Sequence, residues 1–318
     1  MTTITKKTDL KQLFAEYISE CQYSTGLRPE TIRGYKAVFH NFSALMPQVN
    51  NTALLTPEVM NEFFKSVQVR KRIVGRDIEK VGVKASTIRT YWSKLNSFFE
   101  WLRLRGYIEV NPVTDIKTAE PVYDDKRAVE RDDIYKIFSA VTLHSTNPLL
   151  LRRDTLIFSL LIFCGLRKGE LIGLEVRDID MMKRVLTVRG ETSKSNRTRQ
   201  IPINPALLVH LQEYITERNR RGYKTQHLLV SGNEDKGLSV HGLKHFVKKY
   251  NKISGVTFHV HRFRHSFACA LANQNSSAVK IQKLMGHTDL RMTQRYLRSM
   301  SVDDLRDDVN MLNIDNFI

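Results

Sequence analysis

The sequence predicts a mainly α-helical protein of two domains, the second of which also contains a small antiparallel β-sheet. The chain has 318 residues, and 42% of them are apolar, which is enough material for two hydrophobic cores. Apolar residues recur at helical spacing along most of the chain, whereas only two short segments, both after residue 180, look like strands. The stretch 111–127 contains Pro112, Pro121, Asp124 and Asp125 and has no sustained period, so residues 113–127 are predicted to be an exposed linker between the domains.

Residues 1–112 are predicted to form the helical N-terminal domain. Two of its segments begin alike, Thr31–Tyr35 and Thr87–Tyr91, and both lie beside Ser or Thr residues that could cap a helix. Apolar residues follow the second start at helical spacing, for example Leu95, Phe98 and Leu102. These patterns predict two core helices with basic outer sides. An internal repeat and two independent helices with the same kind of N-terminus both explain the likeness.

A basic segment lies between these two helices, with Arg70, Lys71, Arg72 and Arg76 followed by further lysines. It is predicted to be a basic loop. Charged runs usually form solvated surface, and contact with phosphate groups is the alternative for a chain as basic as this one.

Residues 128–318 are predicted to form a mostly helical C-terminal domain. The expected helices cover residues 131–138, 152–163, 205–220, 240–250, 265–272 and 277–285. Val185–Val188 and Gln200–Ile203 are the expected strands, and the polar stretch between them is the expected hairpin loop.

The charge of the chain indicates a strongly anionic partner. Lys and Arg outnumber Asp and Glu by 50 to 33, which gives a net charge of +17. Residues 301–318 contain five aspartates and one arginine, so this tail carries −4 and the remainder about +21. No stretch approaches the roughly 18 apolar residues of a membrane span, and the N-terminus lacks the apolar core of a signal peptide. Nucleic acid is therefore the expected partner, and a cytoplasmic protein the expected class.

Cysteines and carboxylates predict neither a disulfide framework nor a metal site. Cys21, Cys164 and Cys269 are scattered without zinc-like spacing, so buried thiols are expected. No carboxylate cluster has metal-like spacing. We expect no cofactor.

The segment Gly286–Tyr296 contains a histidine and a tyrosine on adjoining short elements, a combination that suits transfer of a phosphoryl group to a side-chain oxygen. Such a reaction needs a nucleophile, positive charge around phosphorus, a proton acceptor and an acid for the leaving oxygen. Arginine can provide the charge, because its planar guanidinium stays protonated and binds two phosphate oxygens at once. Arg167 and Arg264 are the candidates.

Several motifs, in this order and at this approximate spacing, resemble those of the tyrosine recombinase, or phage integrase, family. They are Gly165-Leu166-Arg167-x-Gly169-Glu170-Leu171, Lys194 in the hairpin, His261-x-x-Arg264-His265-Ser266-Phe267-Ala268, Gly286-His287 and Tyr296. The likeness covers nearly the whole chain. It implies a SAM-like, core-binding N-terminal domain and a C-terminal catalytic domain.

The resemblance also implies roles for six residues. Arg167 and Arg264 would bind the scissile phosphate, and Tyr296 would attack it to form a 3′-phosphotyrosyl link with a free 5′-hydroxyl. His261 would accept the proton, His287 would hydrogen-bond the phosphate, and Lys194 would protonate the leaving oxygen. The bond energy is kept in the tyrosyl ester, so a second DNA end can reverse the step without ATP or metal.

Two assignments have neighbouring alternatives. His259 and Arg262 also fit the spacing of the His-x-x-Arg motif, but the residues after Arg264 match the family only with the pair His261 and Arg264. Lys194 has basic neighbours in the hairpin, of which Arg199 is expected to have a supporting role.

The family resemblance implies that the two domains close around duplex DNA like a C-shaped clamp. We expect Arg33, Lys36, Arg89 and Lys94 to contact DNA, on grounds of charge and surface position. The tail after Tyr296 has apolar residues at helical spacing, and it could fold on its own domain or bind a neighbouring protomer. Exchange of this tail around a ring of four protomers on two duplexes is what the family implies.

The sequence thus predicts a site-specific recombinase of a prokaryotic, nucleoid-associated type, monomeric alone and tetrameric on DNA. Two kinds of recombinase are possible, a mobile-element integrase and a Xer-type resolvase. The long basic segment that begins at Arg70 favours the integrase. The chain begins too close to its first helix to include an arm-binding domain. The alternatives are a type IB topoisomerase and a catalytically inactive DNA-binding protein.

Overall fold

The computed structural model divides the chain into two units, residues 1–123 and 124–318. The described residues are 9–74, 78–118, 128–145, 147–193, 196–232, 234–274, 276–290 and 292–294. The division falls within the predicted linker, residues 113–127. Val113, at the start of that segment, is buried in the core of the first unit. The predicted domain limits themselves remain predictions.

The first unit contains four α-helices and one β-hairpin in the part of the chain that the structure describes. They are α1 (Leu10–Tyr23), α2 (Pro29–Leu45), α3 (Pro57–Val69), β1 (Lys71–Val74), β2 (Ile78–Val81) and α4 (Ala85–Leu104). Asp9 caps α1 by accepting a hydrogen bond from the Gln12 N–H at 2.8 Å. Thr56 caps α3 in the same way, and Pro57 occupies the first position, where its missing N–H costs nothing.

Both helices that were predicted to begin alike are present as α2 and α4, but their capping was predicted wrongly. Their N-cap residues are Arg28 and Lys84, neither of which makes a side-chain capping bond. Thr31 and Thr87 lie inside the first turn instead. These helices depend on packing: Phe14, Phe39 and Phe98 from three helices meet in the core, with the first two stacked 3.9 Å apart.

The basic segment after α3 is not a loop throughout, as predicted, but contains the antiparallel strands β1 and β2. Lys71 pairs with Val81, and Val74 pairs with Ile78. At the end opposite the turn, the Gly82 N–H donates a hydrogen bond to the Arg70 carbonyl at 2.9 Å. The β-branched residues between the charges stabilise strands, and a prediction based on charge alone overlooked them.

The second unit is mostly helical and contains one three-stranded sheet among the described residues. Its elements are α5 (Arg131–Leu143), α6 (Pro148–Cys164), α7 (Lys168–Ile172), β3 (Ile179–Asp180), β4 (Val185–Val188), β5 (Arg199–Pro202), α8 (Pro205–Arg220), α9 (Val240–Ser254), α10 (Val260–Asn273) and α11 (Ala278–Met285). The sheet order is β3-β4-β5, and both pairs are antiparallel. The two predicted strands are confirmed to within one residue at each end. The third, β3, has only two residues and left no periodic signal.

Helix α6 lies at the centre of the second unit. It packs against α5, α8 and α10, and its buried residues face all directions, as expected for a helix enclosed by others. Within the described ranges, no helix has the length and apolar character that crossing a membrane would require. Because Cys164, the last residue of α6, is fully buried, the turn that follows it begins inside the protein.

Candidate active site

The turn after α6 positions the first predicted arginine. Gly165 ends the helix in the left-handed conformation with φ 56°, and a Cβ there would lie 2.4 Å from the ring of Phe267. Only glycine fits such a turn packed this closely. Leu166 is then fully buried, and Arg167 becomes the N-cap residue of α7 with one fifth of its side chain exposed.

Arg264, the second predicted arginine, is buried in α10 with 1% of its surface exposed. Its Nη1 donates to the Gly165 carbonyl at 2.7 Å, and its Nη2 donates to the Met285 carbonyl. Arg262, from the competing motif register, donates instead to the carbonyls of Thr257 and Ala128 at 2.8 and 2.9 Å. Arg264 and not Arg262 therefore lies next to the turn of Arg167 and 3.9 Å from the Glu170 carboxylate.

A buried carboxylate connects the arginines. Glu170 accepts hydrogen bonds from the N–H and Nη1 of Arg167 at 2.9 and 2.8 Å, and from both terminal nitrogens of Arg199 at 3.0 and 2.8 Å. Nη1 of Arg264 lies 3.9 Å away. Burial by itself would raise the pKa of Glu170, but the hydrogen bonds and charge of Arg199, together with Arg167, outweigh burial and lower this pKa to about 2. The carboxylate is thus ionised throughout the physiological range.

The histidines predicted for catalysis lie in two settings. His261 is an exposed residue in the first turn of α10, with its ring 4.8 Å from that of His265. With Arg167 it lines a cavity of about 410 Å³, to which apolar side chains as well as Lys168, Lys244 and His259 contribute. His287 is buried after the C-terminal turn of α11, and its Nδ1 lies 2.9 Å from the Thr293 hydroxyl.

Two predicted catalytic residues, Lys194 and Tyr296, lie outside the described residues. The neighbouring Ser193 is fully buried, with its hydroxyl 3.4 Å from the Glu170 carboxylate. Thr293, three residues before Tyr296, is likewise buried and contacts His287. The described residues that precede these two positions are therefore buried, Ser193 beside Glu170 and Thr293 beside His287. In these ranges, no group of three or more His, Cys, Asp or Glu residues is arranged to hold a metal ion.

The four predicted DNA contacts lie on α2 and α4. Lys94 of α4 packs over the ring of Tyr35 at 4.3 Å, which joins the two helices along the segments that carry the basic residues. Lys36 and Arg89 are exposed, and Arg33 pairs with Glu30 at 2.8 Å on the surface. A surface pair of this kind contributes little and can exchange for a phosphate.

A comparison with protein-family models decides the classification. The model described as "Phage integrase family" matches residues 128–301, which is more than half of the chain and includes every predicted catalytic position. The chain belongs to the phage integrase family. The fold and the family expected from the motifs are thus confirmed, and so is the enzyme class: this phage integrase family member is a tyrosine recombinase, which carries out site-specific DNA recombination.

Individual proteins agree with this family. Tyrosine recombinase XerC of Alcanivorax borkumensis is 31% identical over 228 residues, covering 71% of this chain and 73% of that protein. Tyrosine recombinase XerC of Psychromonas ingrahamii is 27% identical over 291 residues, covering 90% and 91%.

Solved structures show the same fold. The Tn1549 transposon integrase in complex with a circular intermediate DNA superposes with a TM-score of 0.74 at 20% identity, covering 96% of this chain and 100% of that one. The XerH recombinase bound to palindromic difH substrate gives 0.72 at 18% identity, covering 94% and 83%.

The depressed pKa of Glu170 predicts how stability depends on pH. A carboxyl with a pKa of about 2 when folded and about 4.3 when unfolded stabilises the fold by on the order of 3 kcal/mol above pH 4.3. This contribution is lost as pH falls toward 2. We expect Glu170→Gln to lower the free energy of unfolding by about this amount at pH 7, and the difference from wild type to shrink below pH 4.3. Urea denaturation at pH 7, 4 and 3 measures this difference, and a gap that stays constant contradicts the assignment.

Proposed function

We propose that the chain cleaves and rejoins DNA at specific sites through a 3′-phosphotyrosyl intermediate formed on Tyr296. Arg167 and Arg264 bind the two non-bridging oxygens of the scissile phosphate. The observation that carries this proposal is the convergence of two arginines, 97 residues apart in sequence, on one carboxylate and on the consecutive carbonyls of Met285 and Gly286. Two guanidiniums that share one buried carboxylate keep an excess of positive charge, which favours an anionic phosphate.

The nucleophile needs help from its surroundings. A free tyrosine has a pKa near 10, so only about one in a thousand is ionised at pH 7. His261 is exposed beside Arg167 in the same cavity and acts as the proton acceptor. His287 hydrogen-bonds the phosphate, and Lys194 protonates the departing 5′-oxygen. The step is a transesterification and consumes no water: the bond from phosphorus to the 5′-oxygen breaks as the bond from phosphorus to the Tyr296 oxygen forms.

The DNA partner is a duplex bound by both basic units, which we propose to be the domains 1–112 and 128–318 joined by residues 113–127. Two proteins of similar fold are bound to DNA in their solved structures, the Tn1549 transposon integrase to a circular intermediate DNA and the XerH recombinase to a palindromic difH substrate. The acidic tail, with Val302, Leu305, Val309 and Leu312, is proposed to bind a neighbouring protomer in a tetramer on two duplexes, and these residues lie outside the described ones. We place the enzyme in a prokaryotic cytoplasm, on the nucleoid.

The contribution of α2 and α4 to DNA binding predicts a change in salt dependence. Each phosphate contact that is removed lowers the slope of log K against log salt by about 0.9. We expect the double substitution Lys36→Ala and Arg89→Ala to lower this slope by about 2 for every duplex sequence. Lys11→Ala, which removes an exposed lysine of α1, is the control and should leave the slope unchanged. Fluorescence anisotropy between 50 and 300 mM salt measures it, and an unaltered slope in the double variant removes these residues from the interface.

A two-site assay tests the function as a whole. Candidate sites are sought as repeats in the DNA that flanks the gene, and each is placed twice on a supercoiled plasmid. A recombinase gives joined products of exchanged flanks, with a mobile-element integrase excising the interval between element ends. Relaxation and a trapped adduct without joined products indicate a type IB topoisomerase, and binding without any adduct indicates an inactive DNA-binding protein.

A further inference from the structure

The C-terminal turn of α11 holds three arginines at once. The carbonyls of three consecutive residues each accept a hydrogen bond from a different guanidinium. The Leu284 carbonyl accepts from Arg199 at 2.8 Å, the Met285 carbonyl from Arg264, and the Gly286 carbonyl from Arg167 at 3.4 Å. The last carbonyls of a helix have no partner within the helix and carry a partial negative charge, so they suit cations.

Arg199 differs from the other two because it belongs to none of the six predicted catalytic positions. It lies at the start of β5 and is 8% exposed. Its two terminal nitrogens bind both oxygens of Glu170, while its Nε binds Leu284. A single side chain therefore connects the sheet, the carboxylate of α7 and the turn that leads into His287.

Gly286 shows how closely Arg199 fits this turn. Gly286 has φ 62°, and a Cβ at this position would lie 3.0 Å from Cδ and 3.1 Å from Nη1 of Arg199. The turn and the guanidinium thus pack without room for a methyl group. Any side chain at residue 286 would move the arginine, the turn or both.

We propose that Arg199 is a positioning residue for strand cleavage, one that holds Glu170 and the Leu284–Gly286 turn in the geometry in which Arg167 and Arg264 bind phosphate. This inference rests on the roles proposed above for those two arginines. Arg199 also balances charge. With it, three guanidiniums surround one carboxylate and leave a net charge of +2 for the phosphate. Without Arg199, Glu170 would pair more fully with Arg167. Its negative charge would then offset half of the two positive charges of Arg167 and Arg264.

The first test compares Arg199→Lys with wild type in single-turnover cleavage of a nicked suicide duplex at saturating protein. Lysine keeps the charge but cannot bind both oxygens of Glu170 and Leu284 together. We expect formation of the covalent adduct to slow by ~10- to 100-fold, because small displacements of catalytic groups have effects of this size. DNA affinity should stay within about threefold, as phosphate contacts elsewhere dominate binding.

Gly286→Ala provides a second variant in which Arg199 itself is unchanged. We expect the same slow cleavage, and little further loss when it is combined with Arg199→Lys. The matched control is Gly255→Ala at the end of α9, another left-handed glycine with φ 71° but with nothing within 4 Å of an added Cβ. It imposes the same kind of backbone strain away from the arginines, and cleavage should remain near the wild-type rate. Equal losses in both glycine variants would overturn the proposal.

A double-mutant cycle separates positioning from general stabilisation. If Arg199 acts through Arg167, Arg199→Lys should have little further effect on cleavage in an Arg167→Lys background. If Arg199→Lys slows cleavage by the same factor in that background as in wild type, Arg199 does not act through Arg167, and the inference is overturned. If Arg199→Lys cleaves at the wild-type rate while Arg167→Lys is impaired, the inference about Arg199 is also overturned, but the proposed function is unaffected. Normal cleavage by Arg167→Ala would instead remove the phosphate-binding role proposed for Arg167, on which this inference rests.

Discussion

Tyr296→Phe is expected to abolish covalent attachment of the protein to DNA. The substitution removes only the phenolic oxygen, so no atom is left at residue 296 to form the ester with phosphorus. A nicked duplex carrying a label on the 3′-phosphate side traps the intermediate, and denaturing gel electrophoresis separates protein-linked from free DNA. Wild type should give a shifted labelled band, and Tyr296→Phe none above background.

The control for this experiment is Tyr135→Phe, which removes the hydroxyl of an exposed tyrosine on α5. It should form adduct at the wild-type rate. DNA affinity of Tyr296→Phe should also match wild type, because a phenylalanine keeps the ring and the charge of the protein. An adduct that persists in Tyr296→Phe would assign the nucleophile to another residue.

Arg167→Ala and Arg264→Ala are each expected to slow cleavage by roughly 10²- to 10³-fold, the effect of removing a single group that stabilises developing charge. The two should differ in stability. Arg264 is almost fully buried, and its removal leaves the carbonyls of Gly165 and Met285 without this donor, at a cost of about 1–3 kcal/mol each. Arg167 is partly exposed, so its removal should cost less.

Rapid-quench measurement of adduct formation, together with thermal unfolding, distinguishes these effects. Arg167→Lys is the informative companion, since it keeps the charge but loses the planar fork, and it should recover only part of the lost rate. Full recovery by lysine would mean that charge alone matters at this position. Cleavage near the wild-type rate in Arg167→Ala would exclude it from the phosphate site.

Much of the fold followed from the sequence because its helices have a clear apolar period. Residues 205–220 and the strand at 185–188 were predicted with the bounds that the structure has. The hairpin after α3 was missed because its β-branched residues lie among many charges, which suggested a solvated loop. Helix capping was also predicted wrongly, since nearby Ser and Thr residues lie inside the first turns and α2 and α4 depend on aromatic packing.

The sequence allowed us to predict which residues form the candidate site, but not the hydrogen bonds that connect them. The motifs identified Arg167 and Arg264, because each lies in a short sequence pattern that resembles a motif of the family. The contacts that hold them do not stand out: Glu170 and Arg199 lie 29 residues apart, and Leu284, Met285 and Gly286 act through backbone carbonyls. Side-chain patterns carry no information about which carbonyl an arginine reaches.

The positions of basic residues in the sequence do not show which of these side chains are available to contact DNA. All four candidate residues are basic and lie on α2 or α4, yet their surroundings differ. Lys94 is engaged with the Tyr35 ring and Arg33 with Glu30, whereas Lys36 and Arg89 are exposed. The last two are therefore the better positions at which to test contact with phosphate.

The most direct test of the account is to identify the amino acid that carries the DNA after cleavage. The adduct formed on a suicide duplex in the presence of EDTA is digested with protease and nuclease, and the nucleotide-bearing peptide is sequenced by mass spectrometry. The account predicts a phosphodiester on Tyr296, formed at the same rate with and without EDTA. A nucleotide on any other residue, or a reaction that EDTA abolishes, would contradict it.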